Sequence, residues 1–331
     1  SFEPLLNQSN QTSTWMESCQ VNIDALGKLT ARIHTTSSGQ GHETLVSTVL
    51  GEVMQIDPEL IRITRPNSLE SLPGNSPVGS RMAIMLGGAA ARAGEKLKAK
   101  IMAIAAHRLG VAIDQLRYEG GDVFAHDGRR FTWDEMVELA HRQYHNLPDG
   151  MDPGLASFDI MQVPTGDALP VDDKVQMYPC YSFEFHLLLV SFDPIIGRPD
   201  IHSYVIGHDC GTVINPAIVS GMTYGGIAHG IGAALFEEFA YDTNGQLLTQ
   251  SFLDYLMPSS HEVPAIQIVK HCTPSPHTVF GQKGSGESGY LGAPAAVSAA
   301  INDAVSGLGI HFEKLPIRMS AISDAIAAKT S

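Results

Sequence analysis

Four short segments concentrate glycine beside hydrogen-bonding side chains. They are Gly39-Gln40-Gly41-His42, Gly79-Ser80-Arg81, Gly207-His208-Asp209-Cys210-Gly211, and the run Gly281-Gln282-Lys283-Gly284-Ser285-Gly286-Glu287-Ser288-Gly289. Glycine lets backbone N–H groups approach a ligand closely, and interspersed Gln, Ser, Arg and Asp match the edge of a polar heterocycle or a phosphate. One such loop is an ordinary turn; four in one chain point to a polar cofactor. The common nucleotide loops do not account for them. Gly284, Gly286 and Gly289 have the offsets of G-x-G-x-x-G, but the strand-turn-helix context and the following acid are missing, and Glu287 would stand where a pyrophosphate must lie. No G-K-[ST] is present, so NAD and ATP are not expected ligands.

Glu287 is the sharpest candidate for chemistry. A carboxylate among Gly and Ser, followed by Tyr290-Leu291, is expected to be partly desolvated and to serve as a base near neutral pH. Equally, it could cap the helix expected to begin near Gly292. His42, His208, His229 and Cys210 lack the spacing of a metal site, so direct protein ligation of a metal is not expected, and His229 reads as a packing residue. Cys19 and Cys210 have no paired base at a recognisable offset, and Gly284-Ser285-Gly286 breaks the nucleophile-elbow pattern.

The elements that must position these residues read as a mixed α+β chain. A polar, unperiodic arm runs to about Met16. A strand pair follows over 23–36, turning at Leu26-Gly27-Lys28 and sending Leu29, Ala31 and Ile33 to one side. A helix is predicted over Thr44–Met54, a short strand over Ile61–Thr64, an ordered loop over 66–80, and a long alanine-rich helix over Met82–Leu109. Gly87 and Gly88 inside that helix imply a close backbone neighbour. Thr132 and Glu135 form a capping box for a helix to about Tyr144. The stretch 148–173 reads as an unperiodic crossing. Phe183–Phe192 and His202–Gly207 read as paired strands. Ile218–Phe236 reads as a glycine-rich helix that only tertiary contact or a cofactor could hold, closed by a turn at Asp242-Thr243-Asn244-Gly245. The expected division is an arm over 1–16, a first α+β unit over 17–175 and a second over 176–331.

Composition narrows the classes further. Apolar residues make up 44% and charged residues 17% of 331, which describes a folded chain with substantial cores. A net charge of −14 argues against nucleic acid and anionic membranes as partners. Four scattered cysteines without a CxxC, no export signal and no apolar run of spanning length predict a cytoplasmic location.

Taken in order, SSGQGHETL at 37–45, VGSR at 78–81, GHDCGTVINPAIVSGMTYGGIAHGIGAALFEE at 207–238 and TPSPHTVFGQKGSGESGYLGAPAAVSAAINDAV at 273–305 resemble the molybdenum-binding large subunit of the xanthine oxidase and carbon monoxide dehydrogenase family. The resemblance covers the C-terminal half of such a subunit. It implies the fold of that half of the molybdopterin-binding domain and a molybdopterin cofactor, in bacteria usually the cytosine dinucleotide form. In this family a dithiolene holds molybdenum and the protein supplies no ligand. By resemblance, Gln40 approaches the metal centre, and Gly39, Gly41 and His42 continue its loop. Ser80, Arg81, Asp209, Cys210 and Gly211 cradle the pterin dinucleotide, and Lys283, Gly284, Ser285 and Gly286 face the cofactor. Glu287 matches the family's catalytic glutamate, the general base that activates a molybdenum-bound hydroxide while hydride passes to a sulfido or selenido ligand.

Two departures stand out. Met222 replaces the glutamine of the family's G-Q-V-x-G, removing an amide expected to contact the pterin, and Ser285 replaces a common valine before Gly286-Glu287. The expected partners are a second molybdopterin-binding subunit carrying the N-terminal half of the site, an iron-sulfur subunit with [2Fe-2S] clusters and an FAD subunit, since four cysteines cannot house the clusters. The split architecture is similar to that of the nicotinate-hydroxylating branch, which implies an N-heteroaromatic substrate, conversion of nicotinate to 6-hydroxynicotinate, NADP as acceptor and selenium at the metal. A purine or other N-heterocycle dehydrogenase subunit is the alternative. A noncatalytic cofactor-assembly component is another, against which the retained Glu287 argues. Carbon monoxide oxidation is less favoured, its distinctive copper-binding cysteine belonging to the other half.

Overall fold

The structure, a computed structural model, describes residues 2–4, 16–65, 67, 69–74, 77–161 and 180–330. Most of the arm over 1–16, residues 162–173 of the expected crossing and the expected boundary at 175 lie outside them.

Residues 17–33 form the expected hairpin. β2 (Glu17–Ile23) pairs antiparallel with β3 (Leu29–Ile33), and Leu29, Ala31 and Ile33 are buried on one side. The Asp24 side chain ties the turn by accepting from the Leu26 and Lys28 N–H groups. β4 (Arg62–Thr64) adds in parallel to β3, and β8 (Leu155–Met161) pairs antiparallel with β2, giving the order β4-β3-β2-β8.

Two helices cover this sheet. α1 (His42–Met54) starts two residues before the sequence expectation, and α2 (Met82–Leu109) spans the expected range. Alanine at 89, 90, 91 and 93 of α2 lets the helix lie close to the sheet, and a Cβ on Gly94 would fall 2.9 Å from Val53 Cγ1 and 3.0 Å from Leu50 Cδ2 of α1, closer than van der Waals contact allows. The neighbours of Gly87 and Gly88 are side chains rather than the expected backbone. Leu45 and Val49 approach Gly87, and the Met161 side chain lies over Gly88, 2.8 Å from where a Cβ would stand.

Three features differ from the sequence reading. β8 lies within the expected crossing: its inward positions include Ser157, which donates to the Ala93 carbonyl, and Asp159, paired with Arg92 and Lys96, so polar groups disguise the alternation. A small meander of β5 (Leu116–Glu119), β6 (Asp122–Ala125) and β7 (Arg130–Phe131) was not anticipated, although Gly120-Gly121 and Asp127-Gly128 are hairpin signals. α3 (Trp133–His141) carries the expected capping box between Thr132 and Glu135 but ends before Tyr144.

Further along the chain, β9 (Tyr181–Phe192) and β10 (Pro199–Asp209) pair antiparallel around the turn at 193–198. β11 (Ile266–His271) joins β10 in parallel, and β1 (Phe2–Pro4) pairs with the first residues of β9, so part of the expected arm is a sheet strand. α4 (Pro216–Leu235) and α5 (Ala293–Val305) pack on one face, and α6 (Met319–Thr330) closes the chain. α4 is held as its glycines require: at Gly226 the backbone of 288–290, and at Gly230 Ala293, come closer than any Cβ would permit. Two hydrophobic clusters result, one built from residues 19–180 and the other from residues 204–326. Among the described residues, no helix is long and apolar enough to cross a membrane.

Candidate functional site

Three helix N-termini and the loop over 282–287 enclose a cavity of about 470 Å³. Gln40, Gly41 and His42 line it from the start of α1, Gly79, Ser80 and Met82 from the start of α2, and Asn215, Ile218, Val219 and Met222 from the start of α4. The cap residues of α1 and α2 make no side-chain hydrogen bond to the first turn, so those N–H groups and the positive end of each helix dipole are available to an anion. At α4 the Asn215 Oδ1 accepts from the N–H groups of Ala217 and Ile218. Gly41 has φ +74°, and a Cβ there would fall 2.6 Å from Ile218 Cδ1, so glycine brings α1 against α4.

The loop is anchored by contacts between distant segments. The Lys283 N–H donates to the Cys210 carbonyl at 2.8 Å, and the Thr212 N–H to the Gly281 carbonyl at 3.2 Å. Gly211, with φ +67°, sits so close that a Cβ would lie 2.3 Å from the Gly281 oxygen. Gln282 is buried, donating through Nε2 to the Ala83 carbonyl and accepting at Oε1 from the Phe280 N–H, both at 2.9 Å. This strut to α2 was missed by sequence reasoning; its signal was a lone amide inside the glycine-rich run. Leu45, Ile214, Ile218 and Val219 form an apolar wall that no motif announced.

At the rim, Ser80 and Glu287 meet across 207 positions of sequence. The Ser80 hydroxyl accepts from the Glu287 N–H at 2.9 Å and lies 3.1 Å from Glu287 Oε2, to which it donates. Ser80 does this from a left-handed backbone conformation, φ +49°, unusual for a residue with a side chain. Glu287 is exposed in this chain, unlike the partly desolvated carboxylate expected, and it holds Ser80 rather than capping α5.

Of the expected site residues, Gln40, Gly41, His42, Ser80, Cys210, Lys283, Ser285, Gly286 and Glu287 line the cavity, as does Met222. Gly39, Arg81, Asp209, Gly211 and Gly284 do not line it. The Arg81 side chain is fully buried in an ion pair with Glu17 of β2 and does not line the cavity. Asp209 accepts from the Gly211 N–H at 2.9 Å and the Thr273 N–H at 3.1 Å, and Lys283 Nζ lies 3.5 Å away. Burial raises its pKa, but these two hydrogen bonds and the lysine outweigh that and hold the carboxyl below the usual range. Gln40 folds back on its own loop, Oε1 accepting from the Ser38 N–H at 2.5 Å. His42 is buried, and its Nδ1 has no hydrogen-bond partner among the described residues; burial lowers its pKa against the opposing pull of Glu43. Burial pushes the Cys210 thiol up to about 11, so it stays protonated. His229 stacks on Tyr290, ring centres 4.5 Å apart, a packing role as expected.

Comparison with known proteins agrees with the geometry. Residues 2–264 match the molybdopterin cofactor-binding domain family. The chain is 33% identical over 314 residues to the nicotine 6-hydroxylase large subunit of Paenarthrobacter nicotinovorans, an alignment covering 94% of this chain and 37% of that one. Its structure superposes on Cu,Mo-CO dehydrogenase with a TM-score of 0.87 at 27% identity, covering 100% of this chain and 40% of that one. Quinoline 2-oxidoreductase from Pseudomonas putida 86 gives 0.83 at 32% identity, covering 95% and 38%. The chain thus spans well under half the length of these relatives.

The residues at the cavity fit such a cofactor. Two uncapped helix N-termini, buried Lys283 and the unpartnered His42 Nδ1 are suited to phosphate and a hydrogen-bonding ring. No group of three His, Cys, Asp or Glu able to hold a metal occurs among the described residues. The family match over most of the chain, the superposition and this donor set agree: the chain belongs to the molybdopterin cofactor-binding family of the xanthine oxidase group and corresponds to part of its molybdenum-binding subunit.

Proposed function

We propose that this chain is the cofactor-binding and base-supplying part of a molybdenum-dependent hydroxylase acting on an N-heteroaromatic substrate. The observation that carries the reading is Glu287 fixed by Ser80 at the mouth of a cavity lined by helix N-termini. Within the 17–175 and 176–331 units, Gly39, Gln40, Gly41, His42, Ser80, Cys210, Lys283, Ser285 and Gly286 would hold molybdopterin cytosine dinucleotide, with Asp209 and Gly211 supporting them. When bound, that cofactor supplies a redox-active metal that accepts two electrons. Substrate C–H and water become C–OH with release of two electrons and two protons. Glu287 takes up one proton as the water oxygen enters the ring, and the Ser80 hydroxyl keeps the carboxylate oriented for it. Lys283 keeps a positive charge near the cavity while Asp209 balances it.

Nicotinate, converted to 6-hydroxynicotinate, is the preferred substrate. Nicotine shares its pyridine ring, and the relatives that name nicotine and quinoline are 33% and 32% identical to this chain. Electrons would leave through [2Fe-2S] clusters and FAD on other subunits to NADP in the cytoplasm. A second molybdopterin-binding subunit would complete the cavity, and a selenido or sulfido ligand would complete the metal. The test is purification of the native complex with molybdenum and selenium analysis, subunit mass spectrometry and turnover of nicotinate in ¹⁸O-water. Glu287→Gln is expected to retain molybdenum and assembly while turnover falls by about 10²–10⁴-fold, the usual contribution of a general base. Equal turnover in variant and parent removes Glu287 as the base. A complex devoid of molybdenum moves the chain to an assembly role.

A further inference from the structure

Two cysteines stand side by side where β10 and β11 end. The strands run parallel and in register up to Asp209 and His271, so Cys210 and Cys272 follow one position beyond the last pair. The two segments stay together there. The Thr273 N–H donates to Asp209 Oδ1 at 3.1 Å, and Cys272 lies near enough to Cys210 to act electrostatically on its thiol. Registered positions of parallel strands point to the same side of the sheet, and neighbouring strands lie about 4.7–4.9 Å apart. That falls inside the Cα separation of about 4.4–6.8 Å that a disulfide spans. The two thiols differ in access: Cys210 is buried and lines the cavity, while Cys272 is exposed. A third, Cys180, is buried beside Ser275 and Lys283 and is the competing partner for Cys210.

We propose that Cys210 and Cys272 form a reversible disulfide that latches the loop carrying Glu287, with a peroxide as the oxidant. The exposed Cys272 meets hydrogen peroxide first, because burial keeps Cys210 protonated. Its sulfur attacks one peroxide oxygen: an S–O bond forms, the O–O bond breaks, and the departing hydroxide leaves as water with the thiol proton. The Cys210 sulfur then attacks the sulfenic sulfur of Cys272. The S–S bond forms, the S–O bond breaks, and the Cys210 proton leaves with that oxygen as a second water. Two thiols are oxidised by two electrons while one peroxide is reduced to water, and a dithiol reductant reverses the step. The bond joins the two segments from which the loop hangs. The Lys283 N–H donates to the Cys210 carbonyl at 2.8 Å, and the Thr212 and Ser275 N–H groups both donate to the Gly281 carbonyl, at 3.2 and 2.9 Å. Once cross-linked, 210–212 and 273–275 move as one, and the loop over 281–287 is held at the cavity. The bond itself stands on the strand register, and its bearing on a bound cofactor rests on the molybdenum reading.

The test treats the purified native complex with hydrogen peroxide, alkylates the remaining thiols and digests with pepsin in the absence of reductant. Peptide mass spectrometry is expected to find Cys210 joined to Cys272, both lost to alkylation and both recovered after dithiothreitol. Hydrogen exchange of the 281–287 peptide should be about tenfold slower in the oxidised complex than in the reduced one. Cys272→Ser is expected to lose the joined peptide and the change in exchange, and to leave turnover of the reduced complex unchanged, since Cys272 does not line the cavity. Four results overturn the inference: Cys210 still open to alkylation while Cys272 passes on to sulfinic acid, Cys210 joined to Cys180, Cys272 joining two complexes, or equal exchange in both states. Metal analysis of the same sample separates the two readings. A molybdenum-loaded complex without the joined peptide sinks the latch alone; a joined peptide in a complex without molybdenum sinks the proposed function alone.

Discussion

Replacing Ser80 by alanine removes one hydroxyl and with it both contacts that orient Glu287, the 2.9 Å bond from its N–H and the 3.1 Å bond to Oε2. A hydrogen bond to a charged group contributes about 1.5–3 kcal/mol, and because Glu287 is exposed, water competes and the lower half of that range applies. At about 1.4 kcal/mol per factor of ten, kcat should fall about tenfold to fortyfold with little change in KM, since the hydroxyl acts on the base rather than on substrate. Ser80→Gly separates orientation from backbone strain. It loses the same hydroxyl but relieves the left-handed φ of +49°, so it should be as slow as Ser80→Ala yet more stable by about 1 kcal/mol. The assay is steady-state turnover of the molybdenum-loaded complex with nicotinate, together with thermal unfolding of the three proteins. Turnover of Ser80→Ala within twofold of the parent, in a complex that Glu287→Gln inactivates, would refute the orienting role.

Three further outcomes follow from the geometry. Removing either member of the buried Arg81–Glu17 pair, as Arg81→Met or Glu17→Gln, should cost about 3–5 kcal/mol by stranding the other charge, and Arg81→Met with Glu17→Leu should recover most of it in chemical denaturation followed by proteolysis. Gly211→Ala would drive a Cβ to 2.3 Å from the Gly281 oxygen at a φ that disfavours side chains; it should destabilise the bridged loops by about 2 kcal/mol or more and lower molybdenum per chain in the purified complex. His42 and His208 are held below the ordinary 6.5, chiefly by burial, with Glu43 opposing at His42 and Glu184 and Asp209 opposing at His208. The unfolded chain then binds more protons than the folded one once pH drops below 6.5, so stability is full above that value and declines beneath it; His42→Gln should make the decline in melting temperature between about pH 6.5 and 5 shallower.

What could be read in the sequence was local. The alternation of Leu29, Ala31 and Ile33, the reciprocal capping of Thr132 and Glu135, and the alanine-rich stretch of α2 each report a preference that a few neighbouring residues decide among themselves. The same was true of most of the cavity: the glycine-rich segments and Glu287 were visible as types and spacings before any packing was known. β8 escaped because Ser157 and Asp159 are satisfied by Ala93, Arg92 and Lys96 on α2, partners some 60 positions away that turn polar residues into inward ones. The Arg81–Glu17 pair was hidden for the same reason, joining residues 64 positions apart. The sequence by itself determined which residues could bind and react, since composition and spacing are properties of the chain. Only the tertiary structure decided which of them share a cavity, with Ser80 brought to Glu287 and Arg81 taken from it, because those pairings are made between segments whose mutual distance no local pattern encodes.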